Sequence, residues 1–275
     1  MIFYNAEQTL ANYFLTMVNS VLKAIDILFL FTPDRPRLSL SEISRLLGIP
    51  KSTAHNLLST LVSRGMVEQV ENEAYALGKM LVVLSQAIYV NVEFRDRAAP
   101  LLRQMADRCH ESVYLTMRDG DAALYIYAIE SPRRLLARTA IGERVPLHCT
   151  SNGKAILAQL SDEEVVAIAD RTNLPAYTKN TFTDLPALLE DLRATRYRGF
   201  SIDNQEHEMN TYCIGAPIFN AQGHVVGACS ISGADPEITI SRQLEFANLV
   251  QYTAQEISRR MGYVLPTPSK IVELV

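Results

Sequence analysis

The stretch LSLSEISRLLGIPKSTAHNLLSTLVSRGM, Leu38 to Met66, admits few folds, because its helix starts, turn and stops are each chemically specified. Ser39 and Glu42 have the S-x-x-E spacing of a capping box, Ile43, Leu46 and Leu47 supply an apolar face, and Gly48 can take the left-handed conformation that ends a helix. Pro50 suits the start of the next helix, where its missing N–H has no partner to lose. In that helix Ala54, Leu57, Leu58, Leu61 and Val62 recur on one side, while Ser52, His55, Asn56 and Ser59 collect on the other. Gly65 closes it, and MVEQVENEAYALG reads as strand, polar turn at Glu71-Asn72-Glu73, and strand. Upstream, Val21, Leu22, Ile25, Leu28 and Phe29 fall at helical spacing before the Pro33-Asp34-Arg35-Pro36 turn; residues 1–17 have no clear period and read as an arm.

Helix, helix, short glycine-containing turn, helix and hairpin is the order of a winged helix-turn-helix. In that arrangement the third helix buries its apolar side, and Lys51, Ser52, Thr53, His55 and Asn56 reach phosphates and base edges. The alternative is a three-helix bundle whose outer face is only solvated; cap, turn, proline and hairpin in this order favour DNA binding. The net charge of −4 argues against indiscriminate coating of polyanions, so nucleic-acid contact is confined to one small region.

From Gly78 the chain reads as helix through Cys109, interrupted at most near Pro100. Its apolar residues Met80, Leu81, Val83, Leu84, Ala87 and Ile88 exceed one packing face, so a partner chain and burial on its own domain both remain open. SVYLTMRDGDAALYIYAIE is a hairpin around Asp119-Gly120, and RVPLHCTSNGKAILAQL gives strand or loop and then a helix from about Ser151. Ser161 with Glu164 opens another helix, Gly199 ends the one after it, and a second hairpin runs Ile214 to Phe219 and Val225 to Ile231 around Gly223. A last amphipathic helix, Gln243 to Met261, ends at Gly262 before an exposed tail. Hairpins interleaved with helices make an α+β domain, and 275 residues suffice for it beside the small N-terminal one.

With 48% hydrophobic and 20% charged residues the chain has a well-cored composition. The start has no basic n-region, and the apolar run Ile25 to Phe31 is too short to span a bilayer, so neither export nor membrane insertion is expected. Cys109, Cys149, Cys213 and Cys229 are widely separated without CxxC, which supports neither disulfides nor zinc and fits a reducing cytoplasm. No dinucleotide, P-loop, nucleophile-elbow or zincin motif occurs, and no cofactor or metal is expected. Thr150, Ser151, Asn152 and Gly153 open a helix whose N–H groups and dipole face outward and suit a carboxylate or phosphate; ordinary capping by Thr150 or Ser151 is the simpler reading. Asp203, Glu206, His207, Glu208 and Cys213 form a polar cluster in which Cys213 could act as nucleophile with His207 as base and Asp203 as orienter, although a strand cysteine is more often a small core residue.

Six segments, NSVLKAIDIL, LSEISRLLGIPKSTAHNLLSTLVSRGMVE, YALG, PLHCTSNGKAILA, GFSIDNQEHEMNTYCIGAPIF and VVGACSISG, stand in the order and spacing of IclR-type transcriptional regulators, which the chain resembles from about Val18 to Gly262. The resemblance implies a winged helix-turn-helix over 18–78, a linker helix over 79–95, a GAF-like domain with a six-stranded antiparallel sheet over 96–263, and a tail over 264–275. It implies a homodimer, paired into tetramers, on palindromic promoter DNA, with a small organic acid as effector. Residue by residue, it implies an effector pocket at main-chain N–H groups of Ser151 and Asn152, with Asp203, Cys213, Ser230 and Ser232 opposite. Ser151 and Asn152 stand where smaller residues are usual, Arg134 where some members have an apolar pocket contact, and Asn56 where arginine is frequent. Glu71 and Glu73 replace basic residues at the wing tip, which moves phosphate binding to Lys51 and Arg64. The expectation is a regulator without catalytic activity; its rivals are an acid-processing enzyme using Cys213 or Asp203 with an appended DNA-binding domain, and a helix-mediated scaffold.

Overall fold

A computed structural model describes residues 18–32, 34–86, 89–131 and 141–264, and the chain divides into two units between Tyr89 and Val90. In the first, α1 (Asn19–Phe29) leads through β1 (Leu38–Ser39) to α2 (Leu40–Leu47), α3 (Lys51–Ser63) and the strands β2 (Val67–Val70) and β3 (Ala74–Leu77). The capping box forms: Ser39 Oγ accepts from the Glu42 N–H at 3.3 Å, and the Glu42 carboxylate accepts from the Ser39 N–H at 2.8 Å. Gly48 ends α2 at φ +63°, and Ser44 Oγ donates to the Ile49 carbonyl at 2.6 Å across the turn. Ile27, Ile43, Ala54, Leu58 and Val67 form the core of this unit. A 3-10 turn, Glu71–Glu73, joins the hairpin strands, and β1 pairs with β3 as a third strand that a two-residue segment gave no sequence signal for.

The inward stripe of α1 differs from the expected one. Ala24, Ile27, Leu28 and, just past the helix, Phe31 are buried or half-buried, whereas Val21, Leu22, Ile25 and Phe29 are exposed. The helix is apolar on two faces, and spacing alone does not say which faces inward. In α4 (Met80–Gln86), Met80, Val83 and Leu84 are likewise exposed. Ala87, Ile88, Pro33, Arg134, the arm 1–17 and the tail from 265 lie outside the described residues.

The second unit begins in α5 (Tyr89–Cys109), which continues through Pro100 with that residue on its exposed side. A six-stranded antiparallel sheet follows, built from β4 (Ser112–Asp119), β5 (Ala122–Ile129), β6 (Arg144–Pro146), β7 (Ser201–Asn204), β8 (Tyr212–Phe219) and β9 (Val225–Gly233) in the order β6-β5-β4-β9-β8-β7. Helices α6 (Ser151–Leu157), α7 (Asp162–Thr172) and α8 (Leu185–Arg198) cover one face; α5 and α9 (Gln243–Arg260) cover the other. Strand alternation divides the sheet accordingly. Leu115, Ile214, Cys229 and Ile231 pack toward α5 and α9, while Tyr114 and Ala228 pack toward α6.

All seven residues of α6 are buried, Lys154 and Asn152 included, so its N-terminus opens into the unit and not outward as expected. Two glycines admit the helix: a Cβ on Gly153 would come within 2.4 Å of the Leu147 carbonyl oxygen, and one on Gly215 within 2.9 Å of Ser151 backbone atoms. Lys154, 1% exposed, is tied to Glu206 at 2.7 Å and Asp191 at 3.0 Å, with the Phe182 ring 4.9 Å from its ammonium. A buried ammonium is tolerated only with such partners.

Gly153→Ala is expected to destabilise by more than the roughly 1–2 kcal/mol of left-handed strain expected for Gly48→Ala, where a Cβ meets nothing within 4 Å. Urea unfolding of both variants measures the order; equal losses contradict the close packing of α6. Lys154→Met should cost about 3–5 kcal/mol in the same assay by stranding Glu206, while Asp191 keeps Arg198 at 3.5 Å, and a loss below about 1 kcal/mol would show that the triad is wet.

Candidate DNA-reading face and polar cavity

Lys51, Ser52, His55 and Asn56 are exposed on α3, and Arg64 is exposed at its C-terminal end. Thr53 is half-buried, because it borders the inward stripe of Ala54 and Leu58. Glu68, Glu71 and Glu73 lie on the hairpin beyond the helix, and Glu42, on α2 before it, is engaged by Ser39.

In the second unit, sheet register assembles a polar row. Asp203 pairs with Cys213 across β7 and β8, Cys213 with Ser232 across β8 and β9, and Ser232 with Ser112 on β4. The row beside it runs Ser201, Gly215, Ser230 and Tyr114. Residues from both rows line a cavity of about 40 Å³ with Ser151, Thr150, His207 and Val145. Of the six ligand residues expected from sequence, Ser151, Asp203, Cys213, Ser230 and Ser232 line it. Asn152 stands behind the lining: its Nδ2 donates to Ser230 Oγ at 3.0 Å, and its buried Oδ1 has no hydrogen-bond partner. Ser230 therefore retains its own hydroxyl hydrogen for a ligand.

Thr150 caps α6 by accepting from the Gly153 N–H at 3.1 Å and donates to the Pro146 carbonyl at 2.8 Å. The Cys213 thiol donates to Ser232 Oγ at 3.0 Å. Tyr114 and Tyr125 meet edge to face at 5.4 Å in the cavity wall, and sequence reasoning passed over both because each sits in an ordinary strand pattern.

Burial raises Asp203 to about 8, repulsion from Glu206 adds to the rise, and the Glu206 N–H donating at 2.7 Å opposes it. At neutral pH this carboxyl is an uncharged donor. Burial also raises Glu206, against the pull of Lys154, and lowers His148 and His207, which stay neutral imidazoles. A neutral Asp203 cannot hold an imidazolium as a catalytic orienter does, which removes the electrostatic basis of the Cys213-His207-Asp203 nucleophilic reading. Burial raises Cys109 and Cys149, and pushes Cys229 up to about 12, so these three are inert thiols.

Residues 20–71 match the family model described as the IclR helix-turn-helix domain, and residues 86–259 match that of the bacterial transcriptional regulator IclR C-terminal domain. The HTH-type transcriptional regulator XynR of Escherichia coli is 31% identical over 248 residues, covering 90% of this chain and 98% of that protein. KipR of Bacillus subtilis is 34% identical over 244 residues, covering 89% and 97%. The Thermotoga maritima IclR crystal structure gives a TM-score of 0.77 at 30% identity, covering 89% of this chain and 99% of that one. An IclR homologue from Microbacterium hydrocarbonoxydans, crystallised with 4-hydroxybenzoate, gives 0.80 at 22% identity, covering 88% and 98%, a likeness of fold. These relatives are regulators and not enzymes, and both matched domains fall on the two units described above: the chain is a DNA-binding transcriptional regulator of the IclR family.

Proposed function

We propose that this regulator binds palindromic promoter DNA through Lys51, Ser52, Thr53, His55, Asn56 and Arg64, and that a small organic acid in the polar cavity sets its operator affinity. The observation that carries the effector reading is the cavity itself: Ser151, Asp203, Cys213, Ser230 and Ser232 come from four separate elements to surround one buried polar space. A volume of about 40 Å³ has room for about three water-sized groups, so the acid is smaller than the 4-hydroxybenzoate named with the Microbacterium homologue. Protonated Asp203 and the Ser230 hydroxyl donate to its carboxylate, with main-chain N–H groups of Ser151 and Asn152 completing the set.

In this reading residues 18–78 read DNA, 79–95 connect, and a GAF-like 96–263 senses. Two copies pair into a dimer, and dimers into a tetramer; the exposed apolar faces of α1 and α4 support such pairing. The acid changes operator affinity only as far as it prefers one arrangement of the paired DNA-binding domains. Exposure of the polar side of α3, with the two glutamates at the wing tip, supports phosphate contacts through Lys51 and Arg64.

Fluorescence anisotropy on the chain's own upstream DNA tests the reading half. Asn56→Ala is expected to lose about 1–3 kcal/mol of discrimination between operator and scrambled sequence, and Lys51→Ala to weaken both equally and lower the salt slope by about 1; uniform losses from both variants contradict that division.

For the sensing half, Asp203 holds below about pH 8 a proton that the unfolded chain releases near the ordinary aspartate value. Its contribution to stability is present below that ordinary value and lost as pH rises through about 8. Affinity for a small carboxylic acid that raises Tm should accordingly be flat from about pH 6, where the acid is ionised, to about 8 and fall about tenfold per unit above it, a fall that Asp203→Asn removes. An unchanged pH profile in the Asn variant would place the proton elsewhere.

A further inference from the structure

A second cavity, of about 220 Å³, lies on the α7 side of β6. Its walls are apolar: Val165, Ile168 and Ala169 of α7, Leu157 of α6, Leu174, and Leu188 of α8. Two charged side chains at its rim are already matched. Asp121 is held by Arg171 through two 2.7 Å hydrogen bonds, and Arg144 by Asp119. Thr172 Oγ1 is turned back to the Ile168 carbonyl at 2.9 Å.

The buried polar side chain left in the lining is His148, 3% exposed, beside the exposed Tyr177. Its Nε2 lies 3.0 Å from the Pro175 carbonyl oxygen, which can only accept, so Nε2 carries the hydrogen and Nδ1 the lone pair. The ring is uncharged at physiological pH because burial opposes its protonation. It offers an acceptor, and neither a cation nor an acid.

An apolar space of this size leaves its walls without dispersion partners on one side. A cavity of about 150 Å³ lined by Leu, Ile and Phe holds benzene, so this one has room for about six to nine non-hydrogen atoms. We propose that this cavity is a second small-molecule site, distinct from the polar one, for an uncharged, largely apolar molecule that carries one hydroxyl or N–H donor for His148. Matched rim charges disfavour an acid, the occupant expected of the polar cavity. The two cavities share the Val145 wall, and the rings of His148, Tyr177 and His207 run from one to the other at 6.1 and 4.9 Å.

Titration of methyl-labelled full-length protein with cyclohexanol tests the proposal without reference to the acid effector. The expected result is a saturable shift of the Ile168 and Leu188 methyl signals, half-complete below about 20 mM. Cyclohexanone, of similar size but without a donor, should bind at least about tenfold more weakly. Ala169→Leu, which fills the cavity from a small residue in its wall, should abolish the shift while an acid that raises Tm still does so. Absence of saturable shifts in the wild-type protein overturns the site. Equal binding by the Leu variant places cyclohexanol elsewhere and overturns it too, and equal affinity for the ketone overturns the role given to His148.

Discussion

The C-terminal unit depends on bringing one ammonium indoors. Lys154 lies on a wholly buried helix, and its charge is tolerable only because Glu206, beyond β7, and Asp191, on α8, meet it within 3.0 Å. Those contacts draw three segments distant in sequence around the start of α6. Asp203 and His207 flank Glu206 and are carried to the cavity wall with it. Burial and the neighbouring Glu206 raise Asp203 by more than the Lys154 ammonium lowers it, and that carboxyl stays protonated at neutral pH.

The sheet separates the polar-cavity side of this unit from its closely packed side. On the face toward α5 and α9, large aliphatic side chains interlock. On the opposite face the same strands present Ser112, Ser230, Ser232, Cys213 and Gly215, small or polar residues that leave space and hydrogen-bonding groups beneath α6. A period of two along β8 and β9 accomplishes this with no irregular backbone inside the site. The N-terminal unit makes a different division: α3 keeps its polar side free, while α1 and α4 leave apolar residues uncovered by the unit itself. An apolar surface of that kind is characteristic of association.

Much of the N-terminal unit was legible because its signals are local. A capping box, a left-handed glycine and a proline act within a few residues, and all three stand where Ser39, Glu42, Gly48 and Pro50 indicated. The hairpins around Gly120 and Gly223 were readable for the same reason. The inward face of α1 was not, since Val21 and Ile27 are equally apolar and only tertiary contact distinguishes them. Strand β1 was missed because two residues carry no period. Asn152 came from the family resemblance as a main-chain N–H contact; the commitment of its side chain to Ser230 behind the cavity wall had no sequence signal.

By itself, then, the order of residues determined the helix limits, the turns, the two-domain plan and the polar side of α3, because caps, glycine conformations and hydrophobic period operate over a single turn or strand pair. Strand register, the burial of Lys154 and the protonation of Asp203 were decided only in three dimensions. Each depends on groups tens of residues apart, such as Lys154 with Glu206 or Cys213 with Ser232, and on water being excluded between them, a condition that no local pattern encodes.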